Sequence, residues 1–228
     1  MKRPCIAFKM NYCDGGSDED HVGFYGICSN AIIRYNIITA KRRWCSHDDC
    51  QCKKYLDGKI SRQELETFWS PDDPDCYTCT DSALLRDWFM DAGADKDGRT
   101  RKIHEGEENH LCILTTKYPS NPNSSKPQSS RLVFAMFIIH EIFEGNDDES
   151  GFVVADDDWR LEFRPHEAEQ INFWDFYQNK DGSTRWSGLF RYFDDALAIK
   201  FLERAVEVKR GTPEEDFAKE FLKQYPYK

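Results

Sequence analysis

Apolar and polar positions along the chain fall into blocks that predict a sheet-rich protein closed by helices. Residues 4–10 (PCIAFKM) read as a strand, followed by a polar, Gly- and Asp-rich turn. Residues 22–28 (VGFYGIC) predict a second strand. Residues 30–38 (NAIIRYNII) fit helix and strand alike, because short apolar runs carry no decisive period. Residues 111–116 (LCILTT) predict a strand, and residues 131–144 (RLVFAMFIIHEIFE) a central, bent one, on their β-branched and aromatic content. Residues 151–155 and 159–164 predict two shorter strands, with 146–150 as an acidic turn before them.

Helix signals cluster in two places. Ser61 and Glu64 form a capping box, in which each side chain satisfies a free amide of the first turn, and Ser70-Pro71 ends that helix. Residues 81–90 follow with Leu84, Leu85, Trp88 and Phe89 on one face. Near the end of the sequence, Asp194-Asp195 caps a helix over 196–209, with Ala198, Ile199, Leu202, Ala205 and Val206 inward. Gly211 ends it, and Thr212-Pro213-Glu214-Glu215 starts another, with Phe217, Phe221 and Leu222 inward. Residues 118–130 are rich in Pro, Ser and Asn and predict a mobile surface loop.

The chain has 228 residues and a formal net charge of −10. Such a balance repels phosphate backbones at long range and argues against a general nucleic-acid coat. No stretch approaches the ~20 apolar residues of a membrane span. No early apolar run has secretory length. The expectation is therefore a cytoplasmic, reducing location, where thiols bind metal more readily than they pair.

The strongest chemical signal is Cys45-x4-Cys50-x-Cys52 followed, after 23 intervening residues, by Cys76-x2-Cys79. A Cys-x2-Cys knuckle places two thiolates on one side of a tetrahedral zinc ion, and the helix expected after Cys79 adds amides that favour thiolate charge. The expected cofactor is one structural Zn2+, held by Cys76 and Cys79 with two of Cys45, Cys50 and Cys52, and His47 is a further possible ligand. Cys5, Cys28 and Cys112 lie in apolar patterns and read as core thiols.

The order of the remaining elements resembles the PUA-like superfamily of small barrels, which includes the EVE, ASCH and YTH domains. The segments that carry the resemblance are Gly-Phe-Tyr-Gly-Ile-Cys-Ser-Asn (residues 23–30), the long apolar strand, and Leu-Phe-Arg-Tyr-Phe-Asp-Asp-Ala (residues 189–196). It implies an α+β fold: a small barrel flanked by helices, with a zinc-ribbon or treble-clef-like insertion and C-terminal helices. The corresponding division is 1–43 and 94–210 for the barrel, 44–93 for the insertion and 211–228 for the last helix. The resemblance also implies recognition of a nucleobase, modified or not, in nucleic acid or as a nucleoside, by stacking and edge hydrogen bonds. Ser29, Asn30 and Asn36 occupy comparable positions to pocket residues of YTH-like members. Trp159, Trp174 and Trp186 are the candidate stacking rings, and Arg191 the candidate for a phosphate or base edge.

Enzyme readings are weaker. Pro74-x-Cys76-x2-Cys79 is similar to a zinc-deaminase element but has one residue too many, and no His-x-Glu or Cys-x-Glu precedes it. An ASCH-like amidohydrolase would draw on Thr115, Thr116, Lys117, His140 and Glu141, yet adjacent strand residues point to opposite faces unless a bulge intervenes. Asp156, Asp157, Asp158 and Glu162 suit a divalent ion or a solvated acidic turn. No nucleophile elbow or P-loop is present, and no catalytic set is assigned. A zinc-stabilised protein-interaction adaptor is the third class, and the sequence is silent on oligomeric state.

Overall fold

The computed structural model describes residues 2–69, 79–95, 97–118, 130–186 and 188–226. It is an α+β protein in two compact units. One comprises Met1–Met10, Phe89–Lys117 and Asn123–Lys228, and the other Asn11–Trp88 with Tyr118–Pro122. Among the described residues no helix is long and apolar enough to cross a membrane.

The first unit holds a curled six-stranded sheet. Its strands are β1 (Cys5–Met10), β2 (Phe89–Asp91), β3 (Leu111–Thr116), β4 (Leu132–Phe143), β5 (Phe152–Glu162) and β6 (Phe190–Phe193), in the order β2-β5-β4-β3-β1-β6. β1 and β3 run parallel, with Ile6 opposite Cys112 and Met10 opposite Thr116, and the other pairings are antiparallel. All six residues of β3 are buried, as are five of the six in β1, so these strands read as unbroken apolar runs rather than alternating ones. The two buried threonines of β3 satisfy their hydroxyls on the neighbouring strand, Thr115 donating to the Phe8 carbonyl at 2.7 Å and Thr116 to that of Met10 at 3.2 Å.

β4 is buried from Leu132 to Ile139 and then surfaces. Its pairing with β5 shifts register between Phe137 and Ile139 and again between Ile139 and Glu141. Such bulges bend and twist a long strand, which is how the sheet curls. They also leave His140 and Glu141 both exposed despite being neighbours. The two short strands expected over 151–155 and 159–164 are one strand, β5: its middle, Asp156–Asp158, is polar because that part faces water, not because the strand breaks.

Helices pack on this sheet unit. α5 (Pro165–Ala168) follows β5 directly, and a single 3-10 turn spans Phe173–Asp175. α6 (Asp195–Lys209) starts at Asp194, whose carboxylate accepts from the Leu197 amide at 3.0 Å. Its buried stripe is Ala198, Phe201, Leu202, Ala205 and Val208, so Phe201 and Val208 take the inward places expected of Ile199 and Val206. Phe201 lies against Phe173, Phe176 and Phe193 at 4.7–5.9 Å between ring centres. α7 (Glu215–Gln224) sets Phe217 and Phe221 against the Trp159 ring.

The second unit is helical. α1 (Asn30–Arg34) runs into a wider π-type turn at Tyr35–Thr39, followed by α2 (Gln51–Leu56), α3 (Arg62–Thr67) and α4 (Thr80–Asp87). The capping box of α3 is formed as its sequence requires, with the Glu64 amide donating to Ser61 Oγ at 3.1 Å and the Ser61 amide to the Glu64 carboxylate at 2.6 Å. Residues 22–28 do not form the expected strand. They are a buried loop, apolar because it is enclosed. Gly23 and Phe24 have positive φ (96° and 64°), which breaks extended backbone. The loop's polar backbone finds partners elsewhere: the Tyr25 amide donates to the Gly15 carbonyl, and the Phe24 carbonyl accepts from the Leu85 amide.

One buried ion pair in the sheet unit is open to measurement. Lys209 Nζ lies 2.8 Å from Glu167 Oε2, with side chains 3% and 4% exposed. Removing Glu167 leaves buried Lys209 with only Glu214 Oε2, 3.7 Å away on a part-exposed side chain, so its charge is poorly paired. Glu167→Ala is expected to lower unfolding free energy by about 3–5 kcal/mol in urea titration, whereas Glu167→Leu combined with Lys209→Met recovers most of that loss.

Candidate metal centre

The helical unit gathers five cysteines around one cavity. The cavity has a volume of about 300 Å3 and is faced by Cys28, Cys45, Cys50, Cys52 and Cys79. Asn36, His47 and Asp81 add polar atoms, while Ile33, Ile37 and Trp44 add apolar wall. Four of the five cysteines expected to bind zinc are therefore here, and Cys76 lies outside the described residues.

Local structure explains how each sulfur arrives. Cys28 ends the buried loop, directly before α1. Cys45 lies in the turns between the π-type turn and α2. Cys50 is the residue before α2, and Cys52 is in its first turn. Cys79 is the residue before α4, and its carbonyl accepts from the Ser82 hydroxyl at 2.7 Å. At the start of α2 the Lys53 and Cys52 amides donate to the Cys50 sulfur, a placement that favours negative charge there.

The thiols are electrostatically linked. Burial pushes the Cys45 thiol well up, and the nearby Asp81 carboxylate adds to that. Burial does the same at Cys79, again with Asp81 second. Cys28 is raised first by its hydrogen bond with Cys13 and then by burial. Cys52 and Cys50 are hydrogen-bonded to each other, which raises Cys52 and lowers Cys50; the amides of Lys53 and Cys52 help to lower Cys50. Burial pushes the Asp81 carboxyl up to about 6, against the pull of the Asn11 amide that donates to it at 3.0 Å. Soft sulfur donors that line one cavity and are largely protonated suit a soft or borderline cation, whose binding releases the protons.

Cys28 was the site residue that sequence spacing hid. It lies 17 positions before Cys45, inside an apolar run, and only the folding of the loop brings it to the cavity. Asp81 follows Cys79 by two residues, and nothing in the pattern marks it.

The residues expected to bind a ligand divide between the units. In the helical unit Ser29 caps α1, accepting from the Ile32 amide at 3.3 Å. Asn30 accepts from the Tyr55 hydroxyl at 3.1 Å and from Arg62 at 3.3 Å. Asn36 donates to the Tyr12 carbonyl at 3.0 Å, and its Oδ1 is buried without a partner. In the sheet unit Trp159 packs on α7. Trp174 is buried against Phe173. Trp186 is half-buried, with the Arg131 guanidinium 4.9 Å and that of Arg191 5.6 Å from its ring centre. The Nε1 atoms of Trp174 and Trp186 are buried without a hydrogen-bond partner. Arg191 also donates to the Phe190 carbonyl at 3.3 Å. The acidic run on β5 is locally engaged, Asp157 pairing with Arg160 and Asp156 accepting from the Asp158 amide.

No protein-family model, no curated protein and no solved structure matches this chain. The cavity must be read from its own chemistry.

A second polar cluster lies in the sheet unit. Cys5, His110 and Asp195 bring their ligand atoms within 4.8 Å of one another. Asp195 Oδ1 accepts from His110 Nδ1 at 2.9 Å and also from the Tyr225 hydroxyl and the Cys5 thiol. Burial pushes the Cys5 thiol up to about 12, so it is a donor here and no nucleophile. The cluster is a hydrogen-bonded hub that ties β1, the start of β3 and both terminal helices. Burial raises the Asp195 carboxyl, but the bonds from Tyr225 and His110 outweigh it and leave it lowered. A carboxylate lowered on folding stabilises above its unfolded pKa, and that gain is lost as pH falls through the folded one. Asp195→Asn should cost about 1–2 kcal/mol at neutral pH. The gap between wild type and variant, followed by thermal melts, should close as the solution is acidified through the carboxylate range.

Proposed function

We propose that the helical unit is a cysteine-ligated metal module, and that the metal has a structural role. The observation that carries this reading is the convergence of five thiols, from separate stretches of a 52-residue span (28 to 79), on one cavity. The donor set fits zinc, the simplest occupant: four thiolates satisfy its tetrahedron, and the ion needs no redox partner. Cys45 and Cys79, with one or both of the Cys50–Cys52 pair, would hold it. Bound metal would supply the positive charge that lets these buried thiols ionise, and it would fix short helices that are individually too brief to be stable.

A second reading concerns the sheet unit, as a PUA-like barrel that takes a nucleobase or nucleoside. Its support is Trp186, a ring flanked by two guanidiniums, whose own indole N–H and that of neighbouring Trp174 lack acceptors. A flat heterocycle offers both a stacking face and edge acceptors. Acidic net charge favours a nucleoside or short single strand over long duplex.

Two tests separate these readings. Protein purified in reductant should carry bound metal, and stripping it with a chelator should lower Tm by about 10 °C or more. Cys45→Ser and Cys79→Ser should each lose the metal. Freshly purified protein with no metal and with every thiol titrating freely defeats the module. For the sheet unit, a panel of nucleosides and short oligonucleotides should quench tryptophan fluorescence, and Trp186→Ala should weaken binding at least tenfold, as loss of one stacking ring predicts. No quenching by any member removes the second reading.

A further inference from the structure

We propose that the Cys5–His110–Asp195 cluster of the sheet unit is a site for one borderline divalent cation, zinc by its donor set. The site is separate from the thiol cavity and does not rest on it. Thiolate sulfur, imidazole nitrogen and carboxylate oxygen are the donors that zinc takes from proteins. Here the three ligand atoms lie within 4.8 Å of one another. Zinc bonds of about 2.0 Å to oxygen and nitrogen and about 2.3 Å to sulfur, in a tetrahedron, set sulfur about 3.5 Å and nitrogen about 3.3 Å from the oxygen. Asp195 Oδ1 is 3.6 Å from Cys5 Sγ and 2.9 Å from His110 Nδ1. Sulfur and oxygen therefore already stand at ligand spacing. The imidazole has to draw back by about 0.4 Å as a cation takes the place of the hydrogen it shares with the carboxylate.

The crowding of one atom supports the site. His110, Tyr225 and Cys5 all direct hydrogens at Asp195 Oδ1, an oxygen with about two lone-pair sites. A cation there would use one of them and let the sulfur and the imidazole turn their own lone pairs to it. The frame is rigid, because Cys5 opens β1, His110 directly precedes β3 and Asp195 opens α6. The Leu111 amide already donates to the Cys5 sulfur, a bond that would steady a thiolate. On binding, Cys5 gives its proton to solvent, and His110 carries its hydrogen on Nε2, which has no hydrogen-bond partner among the described residues. The His110 and Asp195 side chains are 19% and 37% exposed, which leaves the ion a way in. The fourth place falls beside the Tyr225 hydroxyl, itself 3.1 Å from Cys5 Sγ, and suits a water.

The test saturates the chelator-stripped full chain with cadmium-113, standing in for zinc, and reads its magnetic resonance, in which each sulfur ligand moves the signal strongly downfield. The expected result is one resonance in the range of a single sulfur with nitrogen and oxygen donors. A cation in the thiol cavity has several sulfurs and gives a separate signal. The one-sulfur resonance should vanish in His110→Ala and in Asp195→Ala and persist in Tyr225→Phe, with circular dichroism checking that each variant is folded. In the wild type, which needs no variant to fold, the Nδ1 nitrogen-15 shift of one histidine should change as cadmium binds. Absence of a one-sulfur signal at saturation, a signal that survives both substitutions, or histidine nitrogens that do not respond would overturn the site and leave the cluster a hydrogen-bonded hub.

Discussion

The parallel pairing of β1 with β3 is the constraint on which the sheet unit hangs. Almost every side chain on these two strands is out of water on both faces, so neither strand can slide by one residue without moving a buried methyl or ring into a filled place. The register fixed there sets β4 through β3 and β6 through β1. The hub at Asp195 depends on it as well, because Cys5 opens β1 and His110 directly precedes β3. α6 then begins where β6 delivers it, and its Phe201 stripe closes the core.

The helical unit obeys a different rule. Among the described residues its α-helices are five, six, six and eight residues long. Segments this short carry few internal hydrogen bonds and hold their shape through what they pack against. Here much of what they enclose is sulfur. Burial makes thiolate formation unfavourable at Cys45 and Cys79, so the apo-form keeps protons that a cation would displace. On the proposed metal-module reading, folding and ligation would be one equilibrium.

Where one physical signal governed a segment, the sequence was readable. The α3 capping box, the buried strands β3 and β4, and the start of α6 each follow from a local pattern that tertiary packing supports. Where two signals compete, it was not. Residues 22–28 have the composition of a strand, but the positive φ of Gly23 and Phe24 is a demand of the tertiary fold that apolar composition conceals. In sequence β5 reads as two strands because the exposure of its central aspartates mimics a turn. β2 and β6, three and four residues long, are too brief to show a period. For the cavity, the clustered cysteines were visible by spacing, while Cys28 was masked by its apolar neighbours.

Gly15 and Gly26 meet so closely that a β-carbon built on Gly15 would lie 1.9 Å from the Gly26 carbonyl oxygen. The Cys13 thiol donates to that same carbonyl at 3.3 Å and accepts from the Gly15 amide at 3.4 Å. The stretch leading to Cys28 is therefore braced by main chain against main chain. Such a support transmits no slack: repacking a neighbouring isoleucine would move the Cys28 sulfur little, whereas a single methyl group at position 15 would push the two backbones apart and swing that corner of the hollow outward.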